Sequence, residues 1–255
     1  MQRKNLVICC AGDESQHIYW FKEEEDEKRT YDIIVIYYGN SAEKEEEYKA
    51  TSDIFFKGTG FKFNLIRQFI WPYIQTTPSF ANYEQIWIPD DDIEISVKNI
   101  NRMFVVANER NAHIYQPSIA NYLNTTRFPS NKRWYSWAPT LTNTAYTYRR
   151  LNFIEIMMPG FSAEAFRIIF LPSIILYDKI DIGWPLSHIW NILTKTYSYS
   201  TTINAFIFDD ICAFHIKPVS VGSILHKLAT KECEVYNNSK IYVCKDPPAT
   251  LEYFK

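Results

Sequence analysis

Three consecutive aspartates, Asp90, Asp91 and Asp92, follow the short apolar segment IWIP. Carboxylates this close together repel one another, so a protein that keeps them has a use for their charge. In an extended chain Asp90 and Asp92 lie on the same side, where they can bracket one hard divalent cation. Such a cation keeps water and substrate phosphate oxygens in its remaining positions. The alternative interpretation is a charged turn that caps a helix.

The glycine motifs of other nucleotide-binding and hydrolytic folds do not occur in the sequence. There is no GxxxxGK[ST] phosphate loop, and the segment GTGFKF departs from GxGxxG at Phe63. There is also no GxSxG turn to carry a nucleophilic serine. The sequence therefore disfavours P-loop hydrolysis, dinucleotide redox chemistry and α/β-hydrolase chemistry.

The aspartates follow the last of four predicted strands, which alternate with helical segments. These strands are residues 5–12, 31–39, 52–60 and 83–89. The alternation predicts a doubly wound α/β domain, in which ligands bind outside the carboxyl ends of the strands. Polar turns stand at all four of these ends: Gly12-Asp13, Gly39-Asn40, Lys57-Gly58 and Asp90 to Asp92.

The remaining elements are predicted from periodicity and from turn residues. Residues 61–74 have helical spacing that Pro72 should end, and residues 95–112 and 162–176 also predict helices. A turn at residues 183–188 precedes another helix, and residues 204–216 predict a strand pair or a strand and turn. The tail from Glu232 is polar with one small strand. Because no flexible linker interrupts the chain, residues 1–255 are predicted to form one domain.

Composition excludes several classes of protein. The 255-residue chain is 47% hydrophobic with a net charge of −2, which fits a globular protein that binds no nucleic acid. The basic pairs Lys132-Arg133 and Arg149-Arg150 are expected on solvated faces. Five cysteines without a CxxC pair argue against a disulfide framework or a zinc site, with Cys9 and Cys10 expected in the core. No apolar segment has signal-peptide or membrane-spanning length, so we expect a soluble, cytoplasmic protein, in the host cytoplasm if it is viral.

A set of segments in order resembles GT-A-type glycosyltransferases, which implies a GT-A-like, Rossmann-like mixed, mainly parallel sheet flanked by helices. More narrowly, the chain resembles an uncharacterised family of predicted glycosyltransferases found in plants, bacteria and large viruses. The segments span roughly residues 5 to 222 and read NLVICCAGDESQHIYW, YDIIVIYYG, FKGTGFKFNLI, YEQIWIPDDDIEIS, IYQPSI, NFIEIMMPGFSAEAF, IGWPLSHIW and FDDICAFHIKPVSVG.

The resemblance implies a nucleotide-sugar donor, most often a UDP-sugar, bound with Mn²⁺ or Mg²⁺. It assigns Asp90, Asp92 and His215 to the metal. It places the nucleotide against Asp13, the basic pair Lys57 and Lys62, and the aspartates Asp90 and Asp91. Residues 1–100 would then be the nucleotide-sugar-binding half, and residues 101–255 the half that binds the acceptor and completes the metal site. The acceptor would be a glycan or glycoconjugate.

One position departs from the family pattern. Relatives carry GWGLD, whereas this chain has Ser187 where the acidic residue is expected. An inverting transfer needs a base for the acceptor hydroxyl, and Asp181 is the first candidate, ahead of His188 and Glu155. Their structural alternatives are a residue at a helix start, a surface histidine and a strand glutamate paired with an arginine. A retaining transfer would need no such base.

Two other functions stay open at the level of the sequence. A nucleotidyltransferase also presents paired aspartates to a metal and a nucleotide, but it needs a glycine-rich basic loop where Gly12-Asp13-Glu14 is acidic. The second is an inactive carbohydrate-binding homologue, which Ser187 would explain. Among donors, UDP-xylose is preferred over UDP-glucose and UDP-galactose. The aromatic residues Trp134, Trp137 and Trp184 are candidate platforms for sugar rings.

Overall fold

A computed structural model describes residues 3–23, 26–120, 138–197, 205–217, 223–238 and 250–254. Its strands are β1 Asn5–Ala11, β2 Tyr31–Tyr37, β3 Ile54–Lys57, β4 Gln85–Trp87, β5 Ile93–Glu94, β6 Ile114–Ile119, β7 Tyr148–Leu151, β8 Gly160–Ser162, β9 Ala205–His215 and β10 Thr250–Phe254. Its helices are α1 His17–Phe21, α2 Ala42–Ala50, α3 Lys62–Thr76, α4 Val97–Glu109, α5 Ala163–Ala165, α6 Leu171–Leu176, α7 Trp184–Tyr197 and α8 Ile224–Asn238. Short 3₁₀ turns occupy Pro78–Asn82 and Ala138–Thr140, and a π-helical turn, Phe166–Phe170, joins α5 to α6.

The strands form one mixed sheet in the order β10-β7-β9-β6-β8-β4-β1-β2-β3, and β5 pairs with β9. The half made of β4, β1, β2 and β3 is parallel throughout, so its four carboxyl ends meet at one edge. In the other half β8 runs antiparallel to β4 and β6, while β6 and β9 are parallel. The four strands predicted for the first half are thereby confirmed, with ends shifted by a few residues.

Helices cover both faces of this sheet. Successive side chains of β1 point to opposite faces, and both sets are apolar and must be buried. Leu6, Ile8 and Cys10 belong to one apolar cluster. The intervening residues Val7, Cys9 and Ala11 belong to the cluster on the opposite face. A strand that is buried on both faces reads as a continuous apolar run, as this one does. The burial of Cys9 and Cys10 confirms their predicted place in the core.

The prediction that Pro72 ends its helix is wrong, because α3 continues to Thr76. Proline removes the hydrogen bond that its N–H would make to the carbonyl four residues earlier, here that of Gln68. Gln68 and Pro72 both lie on the exposed face, where water can take the freed carbonyl. The buried face of the helix, with Leu65, Ile66 and Ile70, continues to pack against the core.

The second half of the chain also differs from the sequence prediction. Residues 205–215 form one long strand, β9, whose pairing with β6 shifts register between Pro117 and Ser118. The segment from Glu232, predicted as a polar tail, begins inside α8. Arg149 is not solvated but buried, where its guanidinium donates to Asp209 at 2.6 and 2.8 Å. A buried arginine is retained when a carboxylate and carbonyl groups satisfy its donors, and those of Pro139 and Leu141 do so here.

No helix in the described ranges is both long and apolar enough to cross a membrane. The four cysteines that the structure describes, Cys9, Cys10, Cys212 and Cys233, are free thiols.

Candidate metal and nucleotide-sugar site

The aspartates lie in the turn between β4 and β5, and backbone hydrogen bonds on both sides hold that turn. The N–H of Asp90 donates to the carbonyl of Met157 at 2.7 Å, and the carbonyl of Asp92 accepts from Ile216 at 3.0 Å. Directly after Asp92, β5 pairs with β9 so that Ile93 stands opposite His215. This register brings the His215 Nε2 atom to 3.0 Å from Asp92 Oδ2.

Asp90, Asp92 and His215 form a group that could hold a metal ion. Each offers one ligand atom, and these atoms lie within 4.8 Å of one another. Two polar atoms of this group, Asp92 Oδ1 and His215 Nδ1, are buried and have no hydrogen-bond partner among the described residues. Two carboxylates and one imidazole are a donor set that fits a divalent cation of the Mn²⁺ type. The side chains predicted as metal ligands are therefore brought together.

Lys62, the first residue of α3, places its ammonium group beside this cluster. Its Nζ atom lies 2.8 Å from Asp90 Oδ1 and donates to the carbonyls of Ile156 and Met157 at 3.0 and 3.2 Å. Burial raises the pKa of Asp90, and although Lys62 opposes that shift, the charge of Asp92 adds to it. The cluster is consequently short of positive charge in the absence of a cation.

The ring of His215 is buried, which by itself lowers its pKa, but the net shift is upward. The hydrogen bond that the ring donates to Asp92 and the charges of Asp92, Asp90 and Glu155 cause that rise. A proton on this imidazole therefore competes with a metal ion for the same negative surroundings.

Asp91 points away from the other two aspartates and ties the turn to the end of β1. Its Oδ2 atom accepts from the N–H of Gly12 at 2.6 Å, and its carbonyl accepts from the N–H of Gln16 at 2.6 Å. The hydroxyl of Tyr38 lies 3.4 Å from the same carboxylate. Burial, reinforced by the charges of Asp92 and Asp90, raises the pKa of Asp91 to about 6.

Asp13 links the ends of β1 and β2. Its carboxylate accepts from the hydroxyl of Tyr37 and from the backbone N–H groups of Ser41 and Asn40, the latter two at 3.2 and 3.4 Å. The hydrogen bond from Tyr37 is the main reason that the pKa of Asp13 is lowered. Asp13 and Asp91 thus both lie at the edge where the parallel strands end, as the sequence predicts.

Lys57, the last residue of β3, is also predicted to face the nucleotide, and its contacts lie on α2 and β2. Its ammonium group pairs with Glu45 of α2 and lies 5.8 Å from the centre of the Tyr37 ring. Lys57 and Lys62 therefore do not act on one carboxylate, and only Lys62 contacts the metal-ligand group directly.

Glu155 and His188 line one small cavity beside the cluster, together with Phe153, Trp184, Ser187 and Cys233. Glu155 lies in the loop after β7, is buried, and has no hydrogen-bond partner on its Oε2 atom within the described residues. Burial raises its pKa to about 7, Asp90 adds to the rise, and His215 and Lys62 oppose it. Burial also lowers the pKa of His188. Ser187, which stands where the family pattern has an acid, thus shares its cavity with the carboxyl group of Glu155.

Asp181 lies in the turn that precedes α7. Its carboxylate is 3.5 Å from Arg67, whose guanidinium also donates to the carbonyls of Ile174, Tyr177 and Ile180. Gly183 in the same turn has φ 102°, and a Cβ there would meet the Phe63 ring at 2.0 Å. The turn therefore requires glycine at this position.

Glu232 is a residue of this region that the sequence interpretation missed. From α8 its carboxylate accepts the backbone N–H groups of Asp181, Ile182 and Gly183 at 2.7, 3.0 and 2.8 Å. No motif marks it, because its partners are backbone atoms about fifty positions away. Tyr38 was also missed, and only its position after a buried strand could have indicated it. Of the predicted platforms, Trp184 lines the cavity, whereas Trp134 and Trp137 lie outside the described residues.

No protein-family model matches this sequence, and no curated protein is similar to it in sequence. Solved structures do resemble it. GalNAc-T7 with UDP, GalNAc and Mn²⁺ aligns at 12% identity with a TM-score of 0.54, over 92% of this chain and 49% of GalNAc-T7. This chain thus spans about half the length of that relative.

A second similar structure is a protein of Desulfovibrio desulfuricans G20 that is predicted to be a nucleotide-diphospho-sugar transferase. It aligns at 8% identity with a TM-score of 0.42, over 93% of this chain and 98% of that one. At these identities the likeness concerns the fold, and the alignment with GalNAc-T7 carries it. The chain therefore has the predicted GT-A-like fold, a mixed α/β sheet flanked by helices.

Proposed function

We propose that this protein is a metal-dependent glycosyltransferase that moves a sugar from a UDP-sugar to a hydroxyl of a glycan or glycoconjugate acceptor. The observation that carries the proposal is the Asp90, Asp92 and His215 group at the edge where the first four parallel strands end. Ligands of α/β sheets bind at this edge. The presence of UDP and Mn²⁺ in the similar fold of GalNAc-T7 supports the choice of nucleotide and ion.

On the donor side, Asp90, Asp92 and His215 would hold Mn²⁺ or Mg²⁺. A bound ion of this kind supplies positive charge that stabilises a departing diphosphate. Lys62 adds a fixed ammonium group at the same place, since Asp90 and two carbonyls orient it. Electrostatic stabilisation of this type is usually the largest single contribution to catalysis.

The nucleoside would lie along the ends of β1 and β2. Asp13 and Asp91 hold these ends together through Ser41, Asn40 and Gly12, which leaves a polar edge of fixed shape for a base and a ribose. Lys57, on the neighbouring strand β3, would contribute a more distant positive charge. In this proposal residues 1–100 bind the nucleotide sugar, and residues 101–255 complete the metal site and bind the acceptor.

The acceptor would approach the turn before α7. If the reaction inverts the sugar, the base is one of Asp181, His188 and Glu155, which the proposal keeps as catalytic candidates. The ion pair of Asp181 with Arg67 turns its carboxylate toward a structural partner. Glu155 and His188 instead line the cavity next to the metal-ligand group.

UDP-xylose is the donor that we propose to test first, ahead of UDP-glucose and UDP-galactose. The cavity beside Glu155 has a volume of about 80 Å³, and a water molecule occupies about 30 Å³ of liquid. A space for two or three water molecules holds only part of a sugar ring, and UDP-xylose comes first because a pentose lacks the hydroxymethyl group that a hexose must accommodate.

The test begins with thermal unfolding in the presence of UDP, GDP and CMP, each with and without Mn²⁺. A ligand that binds only the folded state raises the melting temperature, and we expect UDP with Mn²⁺ to have the largest effect. Release of UDP from UDP-xylose, UDP-glucose and UDP-galactose is then measured. No Mn²⁺-dependent stabilisation by any nucleotide would refute the proposal.

Two results would assign the protein to another class. Binding of UDP-sugars without any turnover, in the presence of glycan acceptors, would indicate an inactive carbohydrate-binding homologue. Release of pyrophosphate from UTP and a sugar 1-phosphate would indicate a nucleotidyltransferase.

A further inference from the structure

The cavity beside the metal-ligand group contains a buried carboxylate oxygen that the described protein atoms leave without a hydrogen-bond donor. Glu155 is only 6% exposed, and its Oε2 atom has no hydrogen-bond partner within the described ranges. The backbone of Glu155 is held in place, because its N–H donates to the side-chain oxygen of the buried Gln116 at 2.7 Å. A buried acceptor without a donor lowers stability, so such a group points to a ligand that supplies the donor.

The walls of the cavity combine an apolar surface with polar groups. Phe153 and Trp184 contribute ring surface, while Ser187 and His188 contribute a hydroxyl and an imidazole from the first turns of α7. Ring faces beside hydrogen-bonding groups suit a sugar, which has apolar C–H faces and polar hydroxyl edges. The charges around Glu155 are mixed, since His215 and Lys62 oppose the effect of Asp90. A neutral O–H donor therefore suits this carboxyl group better than a cation, which the same two positive groups would repel.

We propose that this cavity is a carbohydrate subsite in which Glu155 accepts a hydrogen bond from a sugar hydroxyl. The inference rests on the proposed function, because it assigns the sugar to a place beside the metal-ligand group. The hydroxyl can belong to the donor sugar or to the acceptor sugar, and both present the same chemistry to Glu155.

Cys233 provides a direct test, because its thiol lines the same cavity. Full-length protein is treated with iodoacetamide, and mass spectrometry follows the modification of Cys233, with the exposed Cys212 as an internal reference. The reaction is run with Mn²⁺ alone, with UDP, with UDP-xylose or UDP-glucose, and with UDP plus free xylose or glucose. At a ligand concentration of about ten times Kd, a sugar in the cavity should slow modification of Cys233 about tenfold relative to UDP.

Glu155→Gln keeps the shape of the side chain but replaces a charged acceptor with a neutral amide oxygen that accepts more weakly, so it should reduce this protection. Glu164→Gln, at an exposed glutamate of α5, is the matched control and should behave as the unmodified chain does. Calorimetry with UDP and Mn²⁺ separates an indirect effect, since Glu155→Gln should leave UDP affinity unchanged. Circular dichroism checks that each variant is folded.

Every outcome of this experiment decides the question. Protection by a UDP-sugar beyond that of UDP supports the subsite and identifies the donor sugar, whereas protection by a free sugar added to UDP identifies the acceptor. Equal rates under all conditions, equal protection by UDP alone, or full protection in Glu155→Gln would overturn the inference. If UDP fails to bind with Mn²⁺ while free sugars still protect Cys233, the proposed function fails and the carbohydrate subsite stands.

Discussion

Substitution of Asp92 by asparagine should weaken Mn²⁺ binding strongly without unfolding the protein. The substitution keeps the size of the side chain and leaves an oxygen near His215, but it removes one of the two carboxylates of the proposed metal site. The charge of Asp92 also raises the pKa of Asp90, so its removal relieves repulsion inside the cluster. The metal-free variant should therefore melt close to the temperature of the unmodified protein.

The size of the effect follows from the proposed role of Asp92 as a direct ligand. Loss of a group that only supports a metal ligand typically weakens metal binding 10–100-fold, so loss of a ligand should cost about 100-fold or more. At Mn²⁺ of about 100 times the wild-type Kd, binding stabilises the protein by about 2.7 kcal/mol. A 100-fold weaker site gains only about 0.4 kcal/mol at the same concentration.

These energies translate into melting temperatures that can be measured. For a chain of this size each kcal/mol shifts the melting temperature by about 2–4 °C, so Mn²⁺ should raise it by about 5–11 °C. The Asp92→Asn variant should rise by about 1–2 °C under the same conditions. Asp178→Asn, at an exposed aspartate that follows α6, serves as the control and should respond fully. A folded Asp92→Asn variant with the full Mn²⁺ shift would show that the carboxylate is not a ligand.

Three further predictions concern titration and turnover. Burial lowers the pKa of His17 to about 3 from its ordinary 6.5. Between these two pH values only the unfolded chain binds a proton on this ring, so the free energy of unfolding should fall by about 2 kcal/mol from pH 7.5 to pH 5. Chemical denaturation should show that loss reduced in His17→Gln, and an equal loss in both proteins would contradict it. Mn²⁺ affinity, measured by calorimetry, should weaken as the pH falls through the raised pKa of His215, because an imidazolium cannot coordinate a metal. The His215→Ala variant should bind Mn²⁺ and UDP weakly at every pH. An unchanged affinity in this variant would exclude His215 as a ligand. If Asp181 is the base, Asp181→Asn should lower turnover by about 10²–10⁴-fold with UDP affinity unchanged, whereas near-normal turnover would leave the role to His188 or Glu155, or favour a retaining reaction.

The sequence by itself determined the first half of the sheet and the position of the aspartates. Continuous apolar runs identify β1 and β2, because a strand that is buried on both faces has few positions for solvated polar side chains. Parallel strands place their carboxyl ends at one edge, so Asp13 and the three aspartates after β4 were expected to meet there. These are local patterns combined with one rule of topology.

Local patterns were less reliable where packing decides the outcome. Helix α3 continues past Pro72 because its apolar face is anchored in the core while the lost hydrogen bond faces water. Arg149 looks like a surface residue in the sequence, yet Asp209 and two carbonyl groups satisfy it in the interior. In both cases a contact distant in the chain outweighs the preference of the residue type.

The tertiary structure explains how distant side chains come to surround the aspartates, a grouping that the family resemblance predicted for His215 but that no spacing in the sequence expresses. Asp92 and His215 are 123 positions apart, and the antiparallel pairing of β5 with β9 brings them into contact. The charge state of Glu155 likewise depends on its burial near Asp90, which no spacing in the sequence expresses. Glu232 holds the turn at Gly183 through backbone N–H groups, which every non-proline residue possesses and which therefore leave no mark in the sequence. The physical reason is the same in each case: sheet pairing and burial join positions whose separation along the chain carries no periodic signal.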